Sequence, residues 1–339
     1  MITVIKPCSS TTQRSNGVFM ISLDFELYWG VRDKLTKEAY GKNILGVRSV
    51  IPAVLKLFKQ YHIHATWAIV GFLFFKNKGE LINQLPEQLP NYEDKNLSPY
   101  PYIDSLNSSE FEDPFHFSPS LIKIISTHLY QEIGTHTFSH YYCLEKGQTK
   151  AEFEKDLEKS VYIAKQHNIN LKSIVFPRNQ VNSEYLSICK QLGITSYRGN
   201  NPGWFYQPMN HSSITKNLKR CFRYIDSYLN LSGHNTYKID HQDNHLPLNL
   251  PASRFLRPYS KRFRFFESIR LNRICSELTH AAKTGEIYHL WWHPHNFGIN
   301  LDENILFLEK IFIHFSKLKK KYGMESMNMS ELSHMILSQ

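Results

Sequence analysis

A chain of 339 residues, 42% hydrophobic and 14% aromatic, can bury a full core as one large domain or two ordinary ones, and its composition excludes general disorder. The formal charge of +10 suits phosphate groups or an anionic membrane surface, whereas no nucleic-acid module accompanies it, so nucleic acid is not expected as a partner. The longest apolar run, residues 65–75, falls short of the roughly 20 residues that a bilayer span requires.

The opening MITVIKPCSSTTQRSNG has no long apolar stretch behind a basic start and predicts no secretory signal. Cys8, Cys143, Cys189, Cys221 and Cys275 are odd in number and lack CxxC spacing, which argues against a disulfide framework or a zinc knuckle. The expected setting is a reduced cytoplasm, with peripheral contact to the inner face of a membrane.

In chain order, residues 18–24 (VFMISLD) read as a buried strand by their β-branched and aromatic content. Val50, Val54, Leu57 and Tyr61 mark one helix face, and HATWAIVGF follows as a second strand. Residues 76–118, polar and holding five prolines (Pro86, Pro90, Pro99, Pro101, Pro114), read as a long insertion and a candidate lid. Leu121, Ile124, Ile125 and His128 predict a helix leading into the strand EIGTHTF. Thr149 and Glu152 form a capping-box pattern ahead of Phe153, Leu157, Val161 and Ala164. LKSIVFP is the next strand, SEYLSICKQLG a helix stopped by Gly193, and ITSYR a short strand. Residues 207–252 show no clear pattern. Within the basic stretch 254–273, the spacing of Leu271, Ile274, Leu278 and Ala282 starts an amphipathic helix. EIYHLWWH is a strand, and residues 303–321 form a helix carrying Leu306, Ile311, Phe315 and Leu318.

Repeated β-then-α units imply a parallel sheet with helical crossovers, open or closed, in one domain spanning residues 1–339. Chemistry in such folds collects at the C-terminal ends of strands. There the sequence places Asp24 and Glu26, then His136 and His140, then Arg178, then His293. Each has a bland reading: a turn acid, a surface histidine pair, a surface salt bridge, a core imidazole. Their recurrence at strand ends in order favours a site in which a carboxylate and two imidazoles hold a divalent, zinc-like ion. Residues 24 and 26 face the same side of a strand, so both acids can reach it.

These stretches resemble the NodB-homology polysaccharide deacetylases (carbohydrate esterase family 4). SLDFELYWG is similar to the first motif, ATWAIVG to the second strand, GTHTFSH to the His-x-x-x-His motif, VFPRNQ to a divergent Arg-Pro motif, and LWWHPHNFG to the final motif. The acids here follow an acid-x-acid pattern instead of adjacent aspartates. The resemblance implies a distorted (β/α)7-type barrel of parallel strands with long insertions.

It further implies a hydrolase that removes an acetyl group from an N-acetylated sugar. Glu26, His136 and His140 would hold the ion, the Glu26 side chain folding back to do so. Asp24 would serve as general base, Arg178 would pair with Asp24, and His293, preceding Pro294, would protonate the leaving nitrogen with Asp226 as its carboxylate partner. His295 competes with His293 for that role. Trp29, Trp67, Trp291 and Trp292 read as core, with one free to stack on a sugar. With no export signal predicted, the expected substrate is a nucleotide- or lipid-linked sugar, or a short oligosaccharide, in surface-glycan synthesis. The rivals are a non-catalytic sugar-binding relative and a glycosidase on a related barrel.

Overall fold

The computed structural model describes residues 16–338 apart from 202, 205, 207–212 and 240–245. The N-terminal stretch on which the signal-peptide expectation rests lies mostly outside the described residues, as does Cys8.

Among the described residues, nine parallel strands make one sheet: β1 (Val18–Phe25), β2 (Ala65–Ile69), β3 (Gln131–Thr135), β4 (Ser173–Ile174), β5 (Ser196–Tyr197), β6 (Leu248–Asn249), β7 (Arg254–Phe255), β8 (Ile287–Trp292) and β9 (Glu325–Ser326). Their order is β6-β5-β4-β3-β2-β1-β8-β7, with β9 paired to the start of β1. All eight residues of β1 are buried, which is what its near-continuous apolar run requires of a central parallel strand. The helices are α1 (Lys37–Tyr61), α2 (Lys78–Ile82), α3 (Pro119–Ser126), α4 (Lys150–Gln166), α5 (Leu186–Gln191), α6 (Ser213–Asp226), α7 (Glu267–Thr284), α8 (Leu301–Tyr322) and α9 (Met329–Leu337). None is long and apolar enough to cross a membrane.

Edge strands β6 and β7 are separated only by residues 250–253, so the two edges of the curled sheet face each other. This connecting strap bonds both sides: Leu250 N–H donates to Tyr197 O at 2.9 Å, and Ser253 N–H to His289 O at 2.8 Å. The result is the distorted barrel with helices outside that the resemblance implied.

Local expectations meet the structure unevenly. Thr149 and Glu152 do form a reciprocal capping box at the start of α4. α1 begins at Lys37, well before the predicted face, and continues through Pro52; Thr36 caps it by accepting from Ala39 N–H. Leu306 is 53% exposed and Ile124 37%, because the buried face of α8 passes instead through Phe307, Leu308, Ile311 and Phe315, and that of α3 through Leu121, Ile122 and Ile125. Cys143, Cys189, Cys221 and Cys275 are all free.

Residues 76–118 pack into the fold. Leu81, Leu97, Tyr100, Ile103, Leu106 and Phe117 are buried, and His116 O accepts the indole N–H of Trp29 at 2.9 Å. The hydroxyl of Tyr92 accepts Tyr142 N–H at 2.9 Å, so this segment braces the loop that carries His140. None of its residues lines the cavity at Glu26 described below.

Candidate active site

The end of β1 places Asp24 and Glu26 at the rim of the barrel, both buried. Glu26 precedes a single helical turn, Leu27–Gly30, and its carboxylate folds back over Gly30. A Cβ on Gly30 would collide with that carboxylate, so glycine is what lets the long side chain double back.

β3 ends at Thr135, and the chain turns sharply through Thr137 (φ 63°) and His140 (φ 61°), both left-handed without being glycine. The turn is bought by Asp156 on α4, whose carboxylate accepts Phe138 N–H at 2.7 Å, Ser139 N–H at 3.1 Å and the Ser139 hydroxyl. Burial nevertheless pushes the Asp156 carboxyl up to about 6.

The turned loop aims both imidazoles at Glu26. His136 Nδ1 donates to Val175 O at 2.8 Å, and its Nε2 lies 3.3 Å from Glu26 Oε2. His140 Nε2 lies 3.0 Å from the same oxygen, and its Nδ1 3.1 Å from the Tyr142 hydroxyl. Burial pushes the His140 imidazole down to about 4, so it is neutral at pH 7. In a neutral ring whose Nδ1 donates, Nε2 is a lone pair. A neutral His136 would therefore present a lone pair to a carboxylate oxygen that is itself only an acceptor. A cation between the three side chains resolves this confrontation. Glu26, His136 and His140 offer donor atoms that all lie within 4.8 Å of one another, so the residues fit a divalent ion.

Glu26 also belongs to a second group, with His293 and His295, that meets the same spacing. His293 Nε2 lies 3.6 Å from Glu26 Oε1 and 3.7 Å from Asp24 Oδ2, and its Nδ1 is 3.2 Å from Asn296 Oδ1. His295 stacks on His293 with ring centroids 4.8 Å apart, and burial pushes it down to about 3. Burial pushes the Glu26 carboxyl up, but His293, His136 and His140 around it outweigh that and hold it well below the usual carboxylate range.

Two of the expected pairings are corrected. Arg178 does not hold Asp24: it sits in a turn at φ 55°, pairs with Asp33, lies 3.5 Å from Glu145, and stacks over Tyr142 at 4.1 Å. The Asp24 partner is Arg198, which follows β5 and binds both carboxylate oxygens at 2.7 Å. Arg198 also donates to Ser22 Oγ at 3.0 Å and Asn179 Oδ1 at 2.9 Å, and lies 4.1 Å over the Trp291 ring. Burial pushes Asp24 up, but the Arg198 guanidinium outweighs it and leaves the carboxyl below its ordinary value.

Asp226 does not reach His293 either. It is buried at the end of α6, 3.2 Å from Arg254, and accepts the Tyr206 hydroxyl at 2.7 Å and the N–H groups of Leu231 and Ser232. Asn296 stands where a carboxylate partner of His293 was expected. Arg198 had a sequence signal, since it closes the strand read from ITSYR; Asn296 had none beyond its place three residues after His293.

The cavity over these groups has a volume of about 370 Å³ and is walled by Tyr40, Phe255 and Trp291 as well as the polar set. Trp29, Trp67 and Trp292 are core residues.

Residues 41–197 match the polysaccharide deacetylase family, a stretch that takes in His136, His140 and Arg178 and leaves out Asp24, Glu26 and His293. Among solved structures, a protein from Mycobacterium smegmatis described as a polysaccharide deacetylase superposes with a TM-score of 0.60 at 11% identity, over 100% of this chain and 96% of that one. A protein from Pseudomonas aeruginosa PAO1 of the same description gives 0.57 at 9% identity, over 95% and 91%. Puue allantoinase gives 0.55 at 9%, over 97% and 93%. No curated protein matches the chain. Residues 41–197 thus carry the match to the polysaccharide deacetylase family, and the barrel built around them has the fold of these solved structures.

Proposed function

We propose that this protein is a metal-dependent hydrolase that removes the acetyl group from an N-acetylated sugar carried on a nucleotide or a lipid, in surface-glycan synthesis. The observation that supports this most is the shared carboxylate of Glu26, approached by the Nε2 atoms of His136 and His140 beside an Asp24 that Arg198 keeps ionised.

A divalent ion held by Glu26, His136 and His140, of the zinc type by its donors, supplies Lewis acidity toward water and the acetyl carbonyl. Asp24 stands 3.7 Å from His293 on the same cavity and takes the proton of the attacking water. Arg198 occupies one lone pair on each Asp24 oxygen, and the remaining lone pairs stay free to accept. His293 is the one imidazole of the set with appreciable solvent access, its side chain 22% exposed, and it returns a proton to the departing nitrogen. Asn296 fixes its ring by accepting from Nδ1. His295, neutral and sealed behind it, packs against His293 and Tyr40. Trp291 and Phe255 offer the flat wall against which a sugar ring stacks.

A glycosidase would need one carboxyl protonated as acid, yet both Asp24 and Glu26 are held below their ordinary values by their partners. The test is elemental analysis of purified protein followed by acetate release from N-acetylated sugars. Near-stoichiometric metal with metal-dependent acetate release supports the reading; metal-free protein after dialysis against zinc, inert toward all such substrates, sinks it.

A further inference from the structure

A second cavity of about 540 Å³ opens beside the first and shares Asn179, Phe255, Trp291 and His293 with it. One wall is a single face of α6, where Arg220, Arg223 and Tyr224 recur at helical spacing, continued by Ser227 just past its end; Arg257, just past β7, also lines the cavity. Among the described residues no Asp or Glu lines this cavity. Arg254, deeper in, is neutralised by Glu277 at 2.6 Å and Asp226 at 3.2 Å, and the same Asp226 anchors the end of α6. Among the described residues no carboxylate pairs with Arg220, Arg223 or Arg257. Arg220, Arg223 and Arg257 line the same cavity, and burial lowers Arg223 and Arg257, against neighbouring tyrosines that raise them, with Arg220 adding to the lowering at Arg223 and Arg223 to that at Arg257. Arg257 is held over the Tyr224 ring at 5.0 Å. Packing three unpaired cations around one cavity is unfavourable unless an anion completes it.

We propose that this cavity binds the phosphate or diphosphate ester of the substrate, with Arg223 and Arg257 as the principal contacts and Arg220 at the mouth. The proposal rests on the deacetylase reading for the adjoining site. It places the anomeric phosphate on the α6 side and the acetamide on the Glu26 side, with Trp291 and Phe255 between them. Phosphate esters of nucleotides and of lipids share this chemistry. Beyond the mouth, Tyr224 stacks with Phe263 at 5.5 Å and Tyr228 with Phe266 at 6.3 Å, and Phe265 is 77% exposed.

The test is calorimetric binding on the full chain of N-acetylglucosamine 1-phosphate against N-acetylglucosamine. The expected result is at least about tenfold tighter binding of the phosphate ester. That preference should vanish in the Arg223→Gln, Arg257→Gln double variant, persist in His136→Ala, His140→Ala, and weaken with added salt. Arg220→Glu, at an exposed position, should reduce it without touching the fold. A preference that is absent in the wild type, or that survives all three arginine changes in folded protein, overturns the inference and leaves the deacetylase reading standing. A preference that behaves as expected in a protein that releases no acetate keeps the phosphate site and removes the deacetylase reading. Uridine diphosphate and farnesyl phosphate, titrated separately, identify the source: the tighter of the two names a nucleotide or a lipid carrier, and equal binding confines recognition to the phosphate itself.

Discussion

Arg198 grips Asp24 through both guanidinium nitrogens at 2.7 Å, in a position where both side chains are almost sealed from solvent. Burial alone would raise the carboxyl, and Arg198 is the foremost of the groups that hold Asp24 ionised, with His136 and His293 adding to it. Arg198→Lys keeps a charge and loses the fork. The limb of the pH–rate profile that reports the base, which lies below the ordinary aspartate value in the wild type, should move to higher pH. Arg198→Ala should destabilise the fold by about 3–5 kcal/mol, because a buried carboxylate is stranded. That contribution is present above the unfolded aspartate pKa and is lost as pH falls through the depressed folded one. Arg178→Ala should leave the limb in place, which parallel profiles of the two variants would check.

Two histidine groups compete for Glu26, and metal content separates them. His136→Ala and His140→Ala should each lose the ion on dialysis, whereas His295→Ala should retain it. Gly30→Ala should lower retention as well, since its methyl group displaces the carboxylate. Loss in His295→Ala with retention in His140→Ala would move the centre to the β8 side.

His293→Ala should reduce kcat by about 10²–10⁴-fold with metal content intact, the range for removal of a general acid. Asp226→Asn should behave differently. Its carboxylate lies between Arg254 and the donors at the end of α6, so the variant should unfold more easily by about 3–5 kcal/mol while the pH profile of kcat keeps its shape. Denaturant melts alongside kinetics distinguish the two.

Asp156 is raised by burial to about 6, above its unfolded value, so the folded state binds the proton more tightly. Its contribution to stability therefore declines as pH rises from about 4 to about 6, by about 3 kcal/mol in all. Asp156→Asn should flatten that part of the stability–pH curve. It should also loosen the Thr137–His140 turn and weaken metal retention, because the amide nitrogen cannot accept from backbone N–H groups.

β1 and β8 were legible in the sequence because a buried parallel strand needs an unbroken apolar run, and both acids and His293 follow directly from where those runs stop. His136 and His140 were legible by spacing, though not the positive φ at Thr137 and His140 that turns them inward, since that strain is paid for by Asp156 on another element. Strands β4 to β7 are two residues each and exist through neighbours more than through propensity. Arg198 could have been found by the rule that found the others, as it closes a strand; Arg178 drew attention through its neighbouring proline, which here makes a turn that points the side chain at Asp33. Helical spacing located α3 and α8 and most of their inward faces (Leu121 and Ile125; Ile311, Phe315 and Leu318) but misplaced one residue on each, Ile124 and Leu306, at the edge of the face.

The strap of residues 250–253 has a geometric consequence. A barrel closed by hydrogen-bonded strands takes only certain girths, because register shifts in whole residues. Here β6 and β7 meet through covalent chain, and the girth is metered by strap length. The strap lies between His289 and the cavity that shares Trp291 and His293 with the Glu26 cavity. Lengthening or shortening it would widen or narrow the mouth by small steps, without re-registering a single strand of the core.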